Sequence, residues 1–209
     1  AAQLKQAYEI EFFSIGGGIG IVYDRALESA DSDWWQPESG QLPLTIDQYA
    51  SEVVPRLQDL GLKILLEPGR LIAGNAGALI TRCLYEKHGD AKEFRIVDAG
   101  MNDLIRPALY EGYHEITPVN INPKAQTLTM DVVGPICESG DFFCQNREVA
   151  DFTQGDLIAL LSAGAYGFTM ASNYNSRPLP AEILVDKDEA FEIRKRQSFD
   201  DLIQGEKIP

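Results

Sequence analysis

The period of the apolar positions changes once along this chain, near residue 75. In the first part, Phe12-Phe13-Ser14-Ile15 and, later, Ile64-Leu65-Leu66 are short apolar runs that predict strands over 12–15 and 63–66. Between them Ile46, Tyr49, Ala50, Val53, Val54 and Leu57 recur at helical spacing, predicting a helix from Thr45 to about Leu60. Pro55 falls inside it, a residue that kinks helices, and Gly61 supplies a stop. Residues 24–44 read as polar and irregular, with Trp34-Trp35, Pro37 and Pro43. Strand, helix, strand is the unit of a parallel sheet.

From Ala78 onward the pattern predicts short strands over 78–86, 94–99, 114–119, 127–133, 157–162 and 182–185. Turn sequences separate them, among them His88-Gly89-Asp90, residues 120–123, Ser139-Gly140-Asp141 and Gln154-Gly155-Asp156. Strands so spaced suggest an antiparallel barrel or sandwich. Residues 102–109 form at most a short helix, and 190–204 end the chain as a charged strand or helix. The expected division is an α/β part over 1–77 and a β domain over 78–209. A closed eight-stranded α/β barrel takes roughly 250 residues. The first part is therefore either a small α/β piece or one end of a barrel whose remainder lies elsewhere.

Composition narrows the function classes. A formal net charge of −14 over 209 residues argues against a nucleic-acid-binding surface. No apolar run approaches the roughly 20 residues of a membrane span, and the start lacks both Met and a signal-peptide pattern. A cytoplasmic protein with a solvated acidic surface is expected, drawing in anionic substrates through local arginines. Cys83, Cys137 and Cys144 are an odd number without CxxC spacing, so neither a disulfide framework nor a zinc site is indicated. His88 and His114 stand isolated and read as surface or loop histidines. No metal site is expected.

Candidate chemistry sits where strands end. Glu67-Pro68-Gly69-Arg70 follows the second apolar run and puts an acid and a base at a strand's carboxyl end, where α/β barrels keep their chemistry. The plainer reading is an ion pair capping a turn. Gly16-Gly17-Gly18 follows the first strand and departs from the dinucleotide fingerprint. It is either a tight turn or a loop whose bare backbone closes on a phosphate. In the run from Asp98 to Tyr110, Arg106 and Tyr110 stand four apart, facing the same way on one helical turn. Such a pair makes a carboxylate clamp; the alternative is an exposed arginine and a core tyrosine. Cys137 and Glu138 lie in the turn Gly134-Pro135-Ile136-Cys137-Glu138-Ser139-Gly140-Asp141. A lone cysteine is often a buried apolar residue, whereas loops are where functional residues concentrate. Tyr166 stands among the small residues Ala163-Gly164-Ala165 and Gly167, with space for a ligand.

These five motifs, in this order, resemble the fold-type III pyridoxal-phosphate decarboxylases from about Phe12 to the C-terminus. The Cys137-Glu138 pair and the run from Asp98 to Tyr110 resemble the diaminopimelate-acting branch. The resemblance implies the C-terminal part of a TIM-type (β/α)8 barrel followed by a β domain, with pyridoxal 5'-phosphate as cofactor. It implies that Gly17 and Gly18 bind the cofactor phosphate, that Glu67 holds the pyridine nitrogen, and that Pro68, Gly69, Arg70 and Tyr166 complete the cofactor site. Arg70, Arg106, Tyr110, Glu138 and Tyr166 would contact the substrate. Cys137 would reach across a homodimer interface and deliver a proton after CO2 departs.

In this family a lysine near the start of the barrel holds the cofactor aldehyde. None of Lys5, Lys63, Lys87, Lys92, Lys124, Lys187, Lys195 and Lys207 sits in a comparable motif. The chain is therefore expected to be the C-terminal half of a longer enzyme decarboxylating meso-2,6-diaminopimelate to L-lysine, its N-terminal half coming from the same gene or a second chain. The alternatives are a non-catalytic pairing module of the same fold, or a decarboxylase of a related basic amino acid (ornithine, arginine, carboxynorspermidine).

Overall fold

The computed structural model describes residues 1–24, 43–90, 92–122 and 124–207. Most of the stretch read as polar and irregular, Trp34-Trp35 and Pro37 included, lies outside the described residues.

The N-terminal part begins with a short helix α1 (Ala2–Ala7), which the hydrophobic pattern does not single out. Strands β1 (Phe12–Ser14) and β2 (Lys63–Leu65) then pair in parallel, with Phe12 opposite Lys63 and Ser14 opposite Leu65. Helix α2 (Ile46–Leu57) connects them. Its start is a capping box: the Gln48 N–H donates to Thr45 Oγ1 at 3.2 Å and the Thr45 N–H donates to Gln48 Oε1 at 3.0 Å. Pro55 does not end this helix, which runs to Leu57, tightens into a 3-10 turn over Gln58–Leu60 and stops at Gly61 with φ +57°. The five-residue helix α3 (Gly69–Ala73) follows β2.

Beyond it, six strands form one sheet: β3 (Leu79–His88), β4 (Glu93–Val97), β5 (Ile116–Pro118), β6 (Thr127–Val133), β7 (Phe142–Ala150) and β8 (Leu157–Leu160). Their order is β5-β8-β3-β4-β6-β7. The expectation of a purely antiparallel sheet is corrected here, because β4 and β6 pair in parallel, Glu93 opposite Met130. After β4 the chain leaves through α4 (Arg106–Tyr110) and β5 before returning as β6, and this crossover reverses the local sense. The edge strands β5 and β7 touch, so the mixed sheet curls almost closed.

Its inside holds Val97, Leu104, Met130, Val132, Phe143, Phe152, Ile158 and Leu160, all buried. Each such side chain contributes about 1.5–3 kcal/mol of transfer free energy. Strand β7 is absent from the sequence reading. Its centre, Gln145-Asn146-Arg147-Glu148, is polar, and Asn146 takes φ +47° where the pairing with β6 slips register. The chain closes with a hairpin, β9 (Glu182–Asp186) and β10 (Glu189–Arg194), and a capped turn of helix α5 (Phe199–Leu202).

The two parts meet at residues that tolerate no side chain. Ala163 and Gly164 donate to the carbonyls of Gly77 and Gly74 at 2.7 and 3.1 Å. A Cβ on Gly164 would strike the Ala73 carbonyl. Asn75 Nδ2 adds bonds to Ser162 Oγ and the Val22 carbonyl, both 2.8 Å. The loop carrying Tyr166 is thereby set against α3.

Candidate functional site

The parallel pairing of β1 and β2 brings two of the motifs side by side. The Glu67 N–H donates to the Gly16 carbonyl at 2.9 Å, and Ser14 Oγ donates to Glu67 Oε1 at 2.6 Å. Gly16 N in turn donates to Ser14 Oγ at 3.1 Å. Glu67 is thus held by the neighbouring strand's hydroxyl, and the turn-capping ion pair with Arg70 does not form. Gly16 and Gly18 have φ +74° and +85°, values that favour glycine, and nothing lies within 4 Å of where their Cβ atoms would stand. Gly17 is bare for another reason: its Cβ would strike the Glu67 carbonyl. The loop presents open backbone on one side and packs on Glu67 on the other.

Pro68 precedes α3, and Gly69 opens it with its N–H on the Glu67 carbonyl at 2.9 Å. Arg70 follows, its guanidinium carbon 5.5 Å from the centroid of the Tyr166 ring, a cation–π contact. Tyr166 is partly exposed and holds φ +60°, an uncommon conformation for a tyrosine. Two groups result, the glycine loop with Ser14 and Glu67, and Arg70 with Tyr166, joined through the turn Pro68-Gly69.

Arg106 and Tyr110 behave differently from the expectation of a shared face. Arg106 is 7% exposed and Tyr110 is 63% exposed. Helix α4 is a single turn, and contacts beyond it draw the arginine inward. Its Nη1 lies 2.8 Å from His114 Nε2, and its guanidinium carbon lies 4.8 Å from the Tyr23 ring centroid. His114 is corrected from a surface or loop residue to a core one: it is 0% exposed, with Nδ1 2.8 Å from the Leu161 carbonyl. Burial, with Arg106 and Arg147 nearby, pushes its pKa down to about 4. His88 is exposed and pairs with Glu93 at 2.6 Å.

The Cys137–Glu138 loop hangs on Asp141. The buried Asp141 carboxylate accepts the Ile136 N–H at 2.6 Å and the Met101 N–H at 2.7 Å, tying this loop to the one that leads into α4. Gly134 cannot carry a side chain, because a Cβ there would meet both Asp141 carboxylate oxygens. Burial raises the Asp141 carboxyl pKa, against those two backbone bonds. Of the three free thiols only Cys137 is exposed; Cys83 and Cys144 are buried. Glu138 Oε1 accepts the Ser139 N–H at 2.8 Å, and Oε2 accepts the hydroxyl of Tyr174 at 3.2 Å. Asp141, Tyr174 and His114 were missed by sequence reasoning. The Ser139-Gly140-Asp141 turn signal was the only hint of the first. Among the described residues, no hydrogen bond or ion pair joins Cys137 or Glu138 to Glu67 or Arg70.

The family profile described as pyridoxal-dependent decarboxylase, C-terminal sheet domain, matches residues 20–164. A diaminopimelate decarboxylase of Aquifex aeolicus is 44% identical over 200 residues, covering 96% of this chain and 44% of that protein. One from Pseudomonas fluorescens is 45% identical over 199 residues, covering 95% of this chain and 44% of that protein. A Helicobacter pylori diaminopimelate decarboxylase crystallised with L-lysine superposes with a TM-score of 0.81 at 38% identity, over 97% of this chain and 48% of that one. The chain thus spans less than half the length of these relatives. A virus arginine decarboxylase, at 16% identity and a TM-score of 0.62, shares the fold alone. With the match spanning more than half of its length and including the Arg106, Cys137 and Glu138 loops, the chain belongs to the pyridoxal-dependent decarboxylase family.

Proposed function

We propose that this chain is the C-terminal part of an enzyme that removes CO2 from meso-2,6-diaminopimelate and releases L-lysine, with pyridoxal 5'-phosphate as cofactor. The observation that carries the reading is the junction of Gly16, Gly17 and Gly18 with Glu67. It sets an open, side-chain-free backbone loop beside an acid held by Ser14.

The residues present fit the cofactor. Gly16 and Gly18 leave free the space that Cβ atoms would fill, so a phosphate reaches the backbone there, and Gly17 keeps the loop packed on Glu67. Glu67 would hold a proton at the pyridine nitrogen, with Pro68 and Gly69 shaping its turn. Arg70, stacked on Tyr166, would neutralise phosphate charge and border the substrate. When bound, pyridoxal phosphate supplies the electron sink for the pair left as the C–CO2 bond breaks.

Substrate recognition falls to the other loops. The Arg106 guanidinium would bind the distal carboxylate, Glu138 the distal ammonium, and Tyr110 and Tyr166 would close the sides. The Cys137 Sγ–H would deliver the proton that forms the new C–H bond where CO2 has left. Within one chain the Cys137–Glu138 loop makes no hydrogen bond to the Glu67–Arg70 group among the described residues, so we assign it to the site of a second copy in a homodimer. The barrel strands and the lysine that this chain lacks would come from the rest of the enzyme, in front of a β domain starting near residue 78.

Steady-state assays of the full-length enzyme against diaminopimelate, ornithine, lysine and arginine test the proposal. Preference for diaminopimelate is expected. A preference for ornithine would remove the substrate assignment, and a folded full-length protein with no decarboxylation at all would favour the pairing-module reading.

A further inference from the structure

We propose that His114 is the residue that positions Arg106 for the substrate carboxylate. This rests on the reading that Arg106 binds the distal carboxylate, and it adds the device that aims the arginine.

The chemistry of the two partners fixes the state of the ring. The Leu161 carbonyl only accepts, so Nδ1, 2.8 Å away, carries the hydrogen. A guanidinium only donates, so Nε2, 2.8 Å from Arg106 Nη1, presents its lone pair. His114 is thereby a neutral imidazole of one defined tautomer. A protonated ring would set one N–H against another, and the absence of solvent around a fully buried side chain opposes the charge as well.

Two contacts then hold the guanidinium, and a third braces the two groups that make them. Nη1 is anchored on His114, the Tyr23 ring lies 4.8 Å from the guanidinium carbon, and that same ring meets the His114 ring at 5.7 Å and 85°. Nε and Nη2 have no hydrogen-bond partner among the described residues. An arginine side chain is long and loses much rotamer freedom when it binds. Here that ordering precedes the ligand, which leaves a planar pair of donors for a carboxylate.

The anchor also links two parts of the site. Leu161 directly follows β8 and leads through Ser162, φ +57°, into the loop bearing Tyr166. Leu161 N donates to the Glu115 carbonyl at 2.9 Å, so Leu161 is tied to the segment after α4 at both His114 and Glu115. A histidine that merely fills the core would need no charged partner.

The test uses the full-length enzyme and two competitive ligands, L-lysine, which retains a carboxylate, and cadaverine, which does not. Three variants are compared: Arg106→Gln, His114→Asn and His114→Gln. Asparagine places its polar atoms near Nδ1 and leaves Arg106 without an acceptor, whereas the longer glutamine reaches the position of Nε2. Arg106→Gln and His114→Asn should each weaken L-lysine inhibition about tenfold, the scale of a hydrogen bond to a charged group. Cadaverine inhibition should change by less than about twofold, and His114→Gln should restore L-lysine binding. A His114→Asn enzyme that binds L-lysine like wild type, or loses both ligands equally, overturns the inference while the Arg106 assignment stands on its own variant. If Arg106→Gln leaves L-lysine unaffected, the carboxylate assignment fails and this inference with it. Should His114→Asn not fold, a folded His114→Gln binding L-lysine no better than Arg106→Gln also overturns it.

Discussion

Ser14 donates its hydroxyl to the Glu67 carboxylate across 2.6 Å, joining the ends of two parallel strands that lie 53 residues apart in sequence. The bond orients Glu67 and steadies the glycine loop, since the same hydroxyl accepts the Gly16 N–H. Ser14→Ala should therefore loosen cofactor binding in the full-length enzyme, raising its Kd about three- to tenfold, the worth of one ordinary hydrogen bond that acts on the cofactor through Glu67. Titration of the apoenzyme with pyridoxal phosphate, followed by visible absorbance, checks this; an unchanged Kd would mean that Glu67 is oriented without Ser14.

Gly134 gives a test of the loop that bears Cys137. Gly134→Ala drives a methyl group into the Asp141 carboxylate, which must then release the Ile136 or Met101 N–H. Overpacking of this kind costs about 1–3 kcal/mol. Denaturant unfolding should register that loss, and kcat should fall with it because Cys137 and Glu138 shift together.

Cys137→Ala should lower kcat by about 10²- to 10⁴-fold, the usual contribution of a positioned general acid. KM should change little, because the thiol moves a proton and holds no substrate group. Near-normal turnover would make the exposed Cys137 a structural residue.

His114 predicts an acid-sensitive fold. Its folded pKa, about 4, lies below the unfolded value near 6.5, so the unfolded chain binds the extra proton between them. Its contribution to stability is complete above about pH 6.5 and falls away as the pH drops toward 4, by about 3 kcal/mol in total. Arg106 and Arg147 both oppose protonation of the ring. Urea unfolding of the full-length enzyme at pH 7 and pH 4.5 should show this slope, and His114→Gln, which cannot titrate, should flatten it.

The 209-residue chain expressed alone should self-associate. A groove of about 390 Å³ between α2 and the β1–β2 pair is lined by Ile15, Val54, Leu57, Ile64, Leu66 and Leu71. The two-stranded sheet also has no further strand on either edge among the described residues. Light scattering should show oligomers that dissolve when the remaining barrel segment is co-expressed. The isolated chain should form no Schiff base with pyridoxal phosphate that survives dialysis and, after borohydride reduction, maps to one lysine. A monodisperse monomer would show that the groove needs no cover.

Local pattern alone determined several elements: the β1–α2–β2 unit, the Thr45 start and Gly61 stop of α2, the strands of the β part other than β7 and β10, and the motifs at the strand ends. Each is encoded within a few residues, by apolar period, a cap or a turn, and needs no knowledge of what lies opposite. Tertiary structure decided what depends on distant partners. Strand β7 has a polar middle and exists because β6 pairs with it. The parallel join of β4 and β6 follows from a crossover that no local pattern encodes. Arg106 and Tyr110 share a helical turn, yet His114 and Tyr23 pull only the arginine into the interior. His114 looks isolated in sequence because its partners, Arg106 and Leu161, are 8 and 47 residues away. A buried polar side chain takes its role from the groups that satisfy it, and only folding brings those groups together.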